Sequence, residues 1–157
     1  MIAEQLAKTA ESQVGVRETK TNGGAKIEEY QRSTWLPSGP WAWCAAFVCW
    51  CVEHSLGGEK YTFPRPETAG AWDFEKWCLS VDDSVKLHKP HKNDIRRGDI
   101  VVFTFSHIGI CVADIDKNGM VQTVEGNTNS GGDREGDGVY RKRRDASKIR
   151  SVIRFTV

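Results

Sequence analysis

Cys44 sits in the segment Pro40-Trp41-Ala42-Trp43-Cys44-Ala45-Ala46-Phe47-Val48, where a loop runs into a small-residue, apolar stretch that reads as a helix. A cysteine in the first turn of a helix feels the positive end of the helix dipole. The free amide groups there favour thiolate over thiol. Far downstream come Ser106-His107-Ile108-Gly109-Ile110, with a histidine at the head of a strand pattern, and then Val124-Glu125-Gly126-Asn127. A thiol, an imidazole and a polar group able to orient the imidazole are the three parts of a cysteine nucleophile site. That order points to acyl-transfer hydrolysis.

The elements that must bring these residues together are helical in front and stranded behind. Ile2, Leu6, Ala10 and Val14 recur every four residues and predict a first amphipathic helix ending near Gly15. A short helix is expected over 25–31, after the turn Asn22-Gly23-Gly24, and Pro37-Ser38-Gly39-Pro40 then breaks the chain ahead of Cys44. The Cys44 helix is expected to run to His54 and stop at Gly57-Gly58, and a further helix is expected over 67–78. The texture then changes. Strands are expected over 100–105, 108–115, 120–124, 139–140 and 151–157, with Asp116-Lys117-Asn118-Gly119 as a hairpin turn. Helices first and an antiparallel meander second make an α+β chain, N-terminal helices packed on a C-terminal antiparallel sheet. No internal repeat or long linker divides it, so 1–157 is expected to be a single domain.

The hairpin carries part of the chemistry. Counting outward from its turn brings His107 opposite Glu125-Gly126-Asn127. Glu125 and Asn127, two residues apart, share one face of a regular strand, so either can reach the imidazole. A carboxylate or amide there would fix the tautomer and favour a thiolate–imidazolium pair near neutral pH.

Bulk properties exclude several classes. With 22 basic and 21 acidic residues the formal net charge is +1, which gives nucleic-acid binding no support. The local run Arg141-Lys142-Arg143-Arg144 reads as a solvated strand edge, and no apolar run approaches the ~20 residues of a membrane span. The opening Met1-Ile2-Ala3-Glu4-Gln5 lacks the basic and apolar regions of a secretory signal, so synthesis in the cytoplasm without Sec export is expected.

The five cysteines, Cys44, Cys49, Cys51, Cys78 and Cys111, are an odd number and argue against a disulfide framework. Cys49, Cys51 and His54 invite a metal reading. On a helix, however, Cys51 and His54 share a face that Cys49 does not, and no second ligand pair follows. Cys49, Cys51 and Cys111 read as small buried apolar residues.

Four of these segments, the Pro40–Val48 stretch, Arg97-Gly98-Asp99-Ile100-Val101-Val102-Phe103, His107-Ile108-Gly109-Ile110 and Glu125-Gly126-Asn127-Thr128, resemble the successive motifs of CHAP domains. These are cysteine, histidine-dependent amidohydrolases/peptidases, papain-like in fold and related to NlpC-type peptidases. Ser12-Gln13-Val14-Gly15-Val16-Arg17-Glu18 and Gly138-Val139-Tyr140-Arg141 resemble the phage-lysin and antibacterial-effector branch. The resemblance implies Cys44 as nucleophile, His107 as general base and acid, Glu125 as the orienting residue and Asn127 as a fourth polar position. It also implies peptidoglycan as substrate, cut between muramic acid and L-alanine or within the stem peptide or cross-bridge. It implies action at the cell wall after holin-type release or specialised secretion, with an immunity protein or the secretion or lysis machinery as possible partners and a monomer as the working form.

Two departures sharpen this. Residues 33–43 contain no Asp or Glu, so the calcium loop of some relatives is not expected, and no cofactor or metal is called for. A separate wall-binding domain is not expected within these 157 residues. Specificity is expected to reside in the loops over 57–66 and 129–137. Two rival readings share the scaffold: a cysteine-dependent deamidase or transamidase toxin with a protein target, and a non-catalytic peptidoglycan-binding module.

Overall fold

The computed structural model describes residues 1–57, 63–89 and 93–157. Helix α1 spans Ile2–Ser12 and buries Ile2, Leu6, Ala7 and Ala10 along one stripe. Val14, expected on that stripe, is exposed, because the helix ends at Ser12 and the chain turns at Gly15 with φ 103°. Helix α2 occupies Ala25–Gln31, as expected. Helix α3, Cys44–Ser55, is buried continuously from Cys44 to Val52. A helix apolar on every side must be enclosed on every side. It packs against α1, α2 and the strands of the sheet's middle. Helix α4 covers Asp73–Ser80, starting later than the sequence suggests because Thr68 Oγ1 caps the Gly70 amide in a local turn.

The strands are β1 (Val85–His88), β2 (Ile100–Phe103), β3 (Ile108–Cys111), β4 (Met120–Thr128), β5 (Gly138–Asp145) and β6 (Ile149–Phe155). They form one antiparallel sheet in the order β1-β6-β2-β3-β4-β5. The α+β class therefore stands. Strand β1 was not expected, since four residues with an alternating charge give little signal, but it pairs in full register with β6. Strand β3 is shorter than expected because the chain leaves the sheet after Val112 and its Ile115 amide bonds Ile95 C=O.

Alternation along the strands gives the sheet two different faces. Ile100, Val102, Ile108, Ile110, Val124 and Ile153 join the helices in the main core. Val101, Phe103, Cys111, Val121, Ile149 and Val152 form a smaller cluster on the reverse. Gly126 sets how closely α3 approaches: a Cβ there would lie 2.7 Å from Phe47 Cβ and 2.9 Å from Trp43 Cζ3. Only glycine lets the helix start sit this near β4. None of the helices among the described residues is long and apolar enough to cross a membrane.

Candidate active site

Cys44 is the first residue of α3, and Trp43 is its N-cap. The first bond of the helix runs from the Phe47 amide to Trp43 C=O at 2.9 Å. The amides of Cys44, Ala45 and Ala46 thus lie ahead of the helical ladder and point out of its N-terminus. Trp43 anchors the entry: it is fully buried, stacks on Tyr30 and donates from Nε1 to Glu18 Oε1 at 2.8 Å. The loop before it is clamped by the buried amide of Gln31. Its Nε2 donates to Gly39 C=O at 2.7 Å and to Trp41 C=O at 3.1 Å, while Oε1 accepts from the Gly39 amide. Proline, glycine and a buried glutamine together hold the stretch that presents the thiol.

His107 precedes β3, after a tight turn in which Ser106 adopts φ 39° and Phe103 N–H bonds His107 C=O. The imidazole is fully buried, and its Nε2 lies 2.9 Å from Glu125 Oε1. Its Nδ1 has no hydrogen-bond partner among the described residues. The pairings Ile110↔Val124 and Cys111↔Thr123 carry His107 to the end of β4 where Glu125 sits, in step with the count from the turn. Burial works against a charged imidazole, but the Cys44 thiol and the Glu125 carboxylate outweigh it and raise its pKa from 6.5 to about 9. The imidazolium is thus favoured by two acidic neighbours, one on α3 and one on β4.

Glu125 itself is fully buried. Burial alone would raise its pKa, yet hydrogen bonds and charge from Arg144 and His107 bring it down from 4.5 to about 2. Its neighbour Gly126 abuts α3, so Glu125 occupies the reverse face of the sheet, beside Thr123 and Cys111. The imidazole links the two faces, with the carboxylate on the reverse and the thiol at the start of α3.

Asn127 does not sit on the same regular strand as Glu125. The β4–β5 register shifts between Glu125 and Thr128, and Asn127 has φ 56°. This bulge separates two side chains that uniform alternation would have placed together. Glu125 is the residue bonded to His107, whereas the Asn127 amide is buried, and neither Nδ2 nor Oδ1 has a partner among the described residues.

One participant departs from the sequence pattern. Arg144 belongs to a run that reads as a solvated strand edge, and three of its four residues fit that picture: Arg141 pairs with Glu11, Arg143 with Asp116, and Lys142 reaches Ser130 C=O. Arg144 instead turns inward, its side chain 14% exposed, and donates from Nη2 and Nε to the two oxygens of Glu125 at 2.5 and 2.9 Å. Thr123 Oγ1 also donates to Glu125 Oε2, at 2.5 Å. Strand alternation could have found both, since Thr123 is two residues from Glu125 and Arg144 faces Val121 across the β4–β5 pairing.

The remaining candidates fall elsewhere. Cys49 donates to Thr68 C=O, and Cys51 and Cys111 are fully buried with pKa values well raised by that burial. His54 stacks on Trp50 and bonds its carbonyl, while His88 lies in β1. Among the described residues no group of His, Cys, Asp or Glu is gathered as a metal site. Asp99 fixes its turn, accepting from the Arg96 amide and from Arg154. Among the tryptophans, Trp43 is core, Trp41 and Trp77 are half-buried against the core, and Trp72 is exposed. His91 and residues 58–62 of the first specificity loop lie outside the described residues.

The chain matches the CHAP domain family over residues 36–127, more than half of its length. No curated protein sequence matches it. Among solved structures, the wild-type endolysin LysIME-EF1 is similar, with a TM-score of 0.63 at 13% identity over 97% of this chain and 63% of that one. The chain therefore spans a little under two thirds of the endolysin chain's length, and at this identity the likeness is one of fold.

Proposed function

The chain belongs to the CHAP domain family, and from that membership and the Cys44–His107–Glu125 arrangement we propose that it is a cysteine-dependent peptidoglycan hydrolase. The observation that carries the reading is the buried imidazole held between a helix-start thiol and a carboxylate. The solved structure that shares the fold is called an endolysin, which supports a lytic hydrolase.

In this reading Cys44 loses its proton to His107 and attacks an amide carbonyl as thiolate. The oxyanion that forms is met by the Cys44 amide, which points out of the helix start. The imidazolium passes its proton to the nitrogen of the breaking C–N bond, and the amine leaves. Water, deprotonated by His107, then attacks the thioester and releases a carboxylate and free Cys44. Glu125 keeps the ring oriented through both halves. Asn127 is proposed as a polar contact for the substrate, because neither end of its buried amide is satisfied among the described residues and a ligand can supply the partner. The bond cut is proposed to be the muramoyl–L-alanine amide or a peptide bond of the stem or cross-bridge.

Digestion of purified sacculi by the wild type and by Cys44→Ala, with soluble products weighed by mass spectrometry, tests this. Muropeptides from the wild type and none from the variant are expected, and their masses identify the bond. Intact sacculi with the wild-type protein would contradict the proposal and favour a protein target.

A further inference from the structure

We propose that Arg144 is a positioning residue for His107, its guanidinium holding the Glu125 carboxylate in the one orientation that presents Oε1 to the imidazole. The proposal rests on reading Cys44 and His107 as the reacting pair. It goes beyond the family match, which ends at residue 127 and so leaves Arg144 outside.

The seat of the guanidinium is built from three sides. Arg144 lies 5.3 Å from the ring centroids of both Phe103 and Phe105. Those two rings stack on each other and on His107 itself. On another side the loop passes so close at Gly132 that a Cβ there would come within 3.0 Å of Nη1. The aromatic faces and the close-passing glycine flank the planar fork, and its Nε and Nη2 edge donates to Glu125. The carboxylate is thereby fully engaged. Oε1 meets Arg144 Nη2 and His107 Nε2, and Oε2 meets Arg144 Nε and Thr123 Oγ1.

The chemical consequence lies in the tautomer. A buried carboxylate facing only an imidazole can take up a proton and become a donor toward Nε2. The ring would then carry its hydrogen on Nδ1, the nitrogen that must accept the thiol proton. A permanently charged guanidinium bonded to both oxygens keeps Glu125 an acceptor, so Nε2 carries the hydrogen and Nδ1 stays open. Among the described residues no other permanently charged group bonds the Glu125 carboxylate. The groups facing Glu125 are Gly109, which has no side chain, and the Cys111 thiol from β3, the Thr123 hydroxyl from its own strand, His107 from the turn and Arg144 from β5. The Cys111 thiol is kept neutral by burial, by Asp99 and by Glu125 itself.

The test is the rate of Cys44 alkylation by iodoacetamide against pH, followed in the full chain for wild type, Arg144→Met and Arg144→Lys, with thermal unfolding alongside. Alkylation needs no substrate, so it reads Arg144 even if sacculi prove not to be the target. In Arg144→Met the acidic limb of the profile moves to higher pH and the rate at neutral pH falls about tenfold or more. Arg144→Lys, which keeps the charge but not the fork, moves the limb in the same direction by less. A folded Arg144→Met protein with the wild-type profile overturns the proposal. Should that variant not fold, a wild-type profile in Arg144→Lys overturns it instead.

Discussion

Gly109 faces Glu125 across the β3–β4 pairing with no space between them for a side chain: a Cβ at 109 would lie 2.7 Å from Glu125 Cγ. The glycine in His107-Ile108-Gly109-Ile110 is therefore there for the carboxylate, which lies over the bare backbone on its way to the imidazole. One link of the site is written into the strand opposite, where sequence alone shows only a weakened strand position.

Replacing Gly109 by alanine should push Glu125 out of its four-bond setting. Overpacking of this kind costs about 1–3 kcal/mol, so a lower denaturation midpoint is expected together with reduced hydrolysis per folded molecule. Valine should be worse on both counts. An alanine variant with wild-type midpoint and wild-type turnover would show that the carboxylate tolerates displacement.

The pH dependence of stability follows from the two buried partners. The His107 pKa is raised from 6.5 to about 9, so its contribution is complete below 6.5 and is lost as pH rises through about 9. The Glu125 pKa is lowered from 4.5 to about 2, so its contribution is complete above 4.5 and is lost as pH falls through about 2. Their joint contribution should be largest between pH 4.5 and 6.5. Urea unfolding across this range checks it, with Cys44→Ala as comparison. Removing the thiol removes one cause of the raised imidazole, so the alkaline loss should be smaller and should end at lower pH in the variant. An identical alkaline edge in both proteins would mean that thiol and imidazole do not interact.

Gln31 offers a prediction remote from the reacting atoms. Its side chain makes three bonds to the backbone of Gly39 and Trp41, just ahead of Cys44. Gln31→Leu leaves those buried backbone groups without partners, at about 1–3 kcal/mol, and frees the loop that delivers the thiol. Slower Cys44 alkylation should accompany the fall in stability measured by urea unfolding. If stability falls and alkylation does not change, the clamp serves the fold alone.

Much of this arrangement can be read in the sequence because it depends on local pattern. The small-residue run after Cys44 announces a helix that packs closely, and Asn118-Gly119 fixes a turn from which His107 can be counted to the end of β4. What escapes is set by pairing over distance. Arg144 looks like its basic neighbours until β5 is laid against β4, where strand alternation turns it inward while Arg141 and Arg143 find acidic partners outside. Asn127 looks like the face-mate of Glu125 until the bulge at φ 56° intervenes, and no local residue pattern signals that bulge. Strand β1 is too short to declare itself and exists because β6 offers it an edge.

The proposed hydrolysis rests on a thiolate at Cys44. All five cysteines are free and buried, Cys44 being the most accessible at 7%. The direct measurement is intact-mass and peptide mapping of the protein during iodoacetamide inactivation at neutral pH, with release of new amino or carboxyl ends from sacculi followed in the same samples. One adduct is expected, located on Cys44, with activity lost in proportion to it. Full activity in protein whose Cys44 is completely alkylated would contradict it.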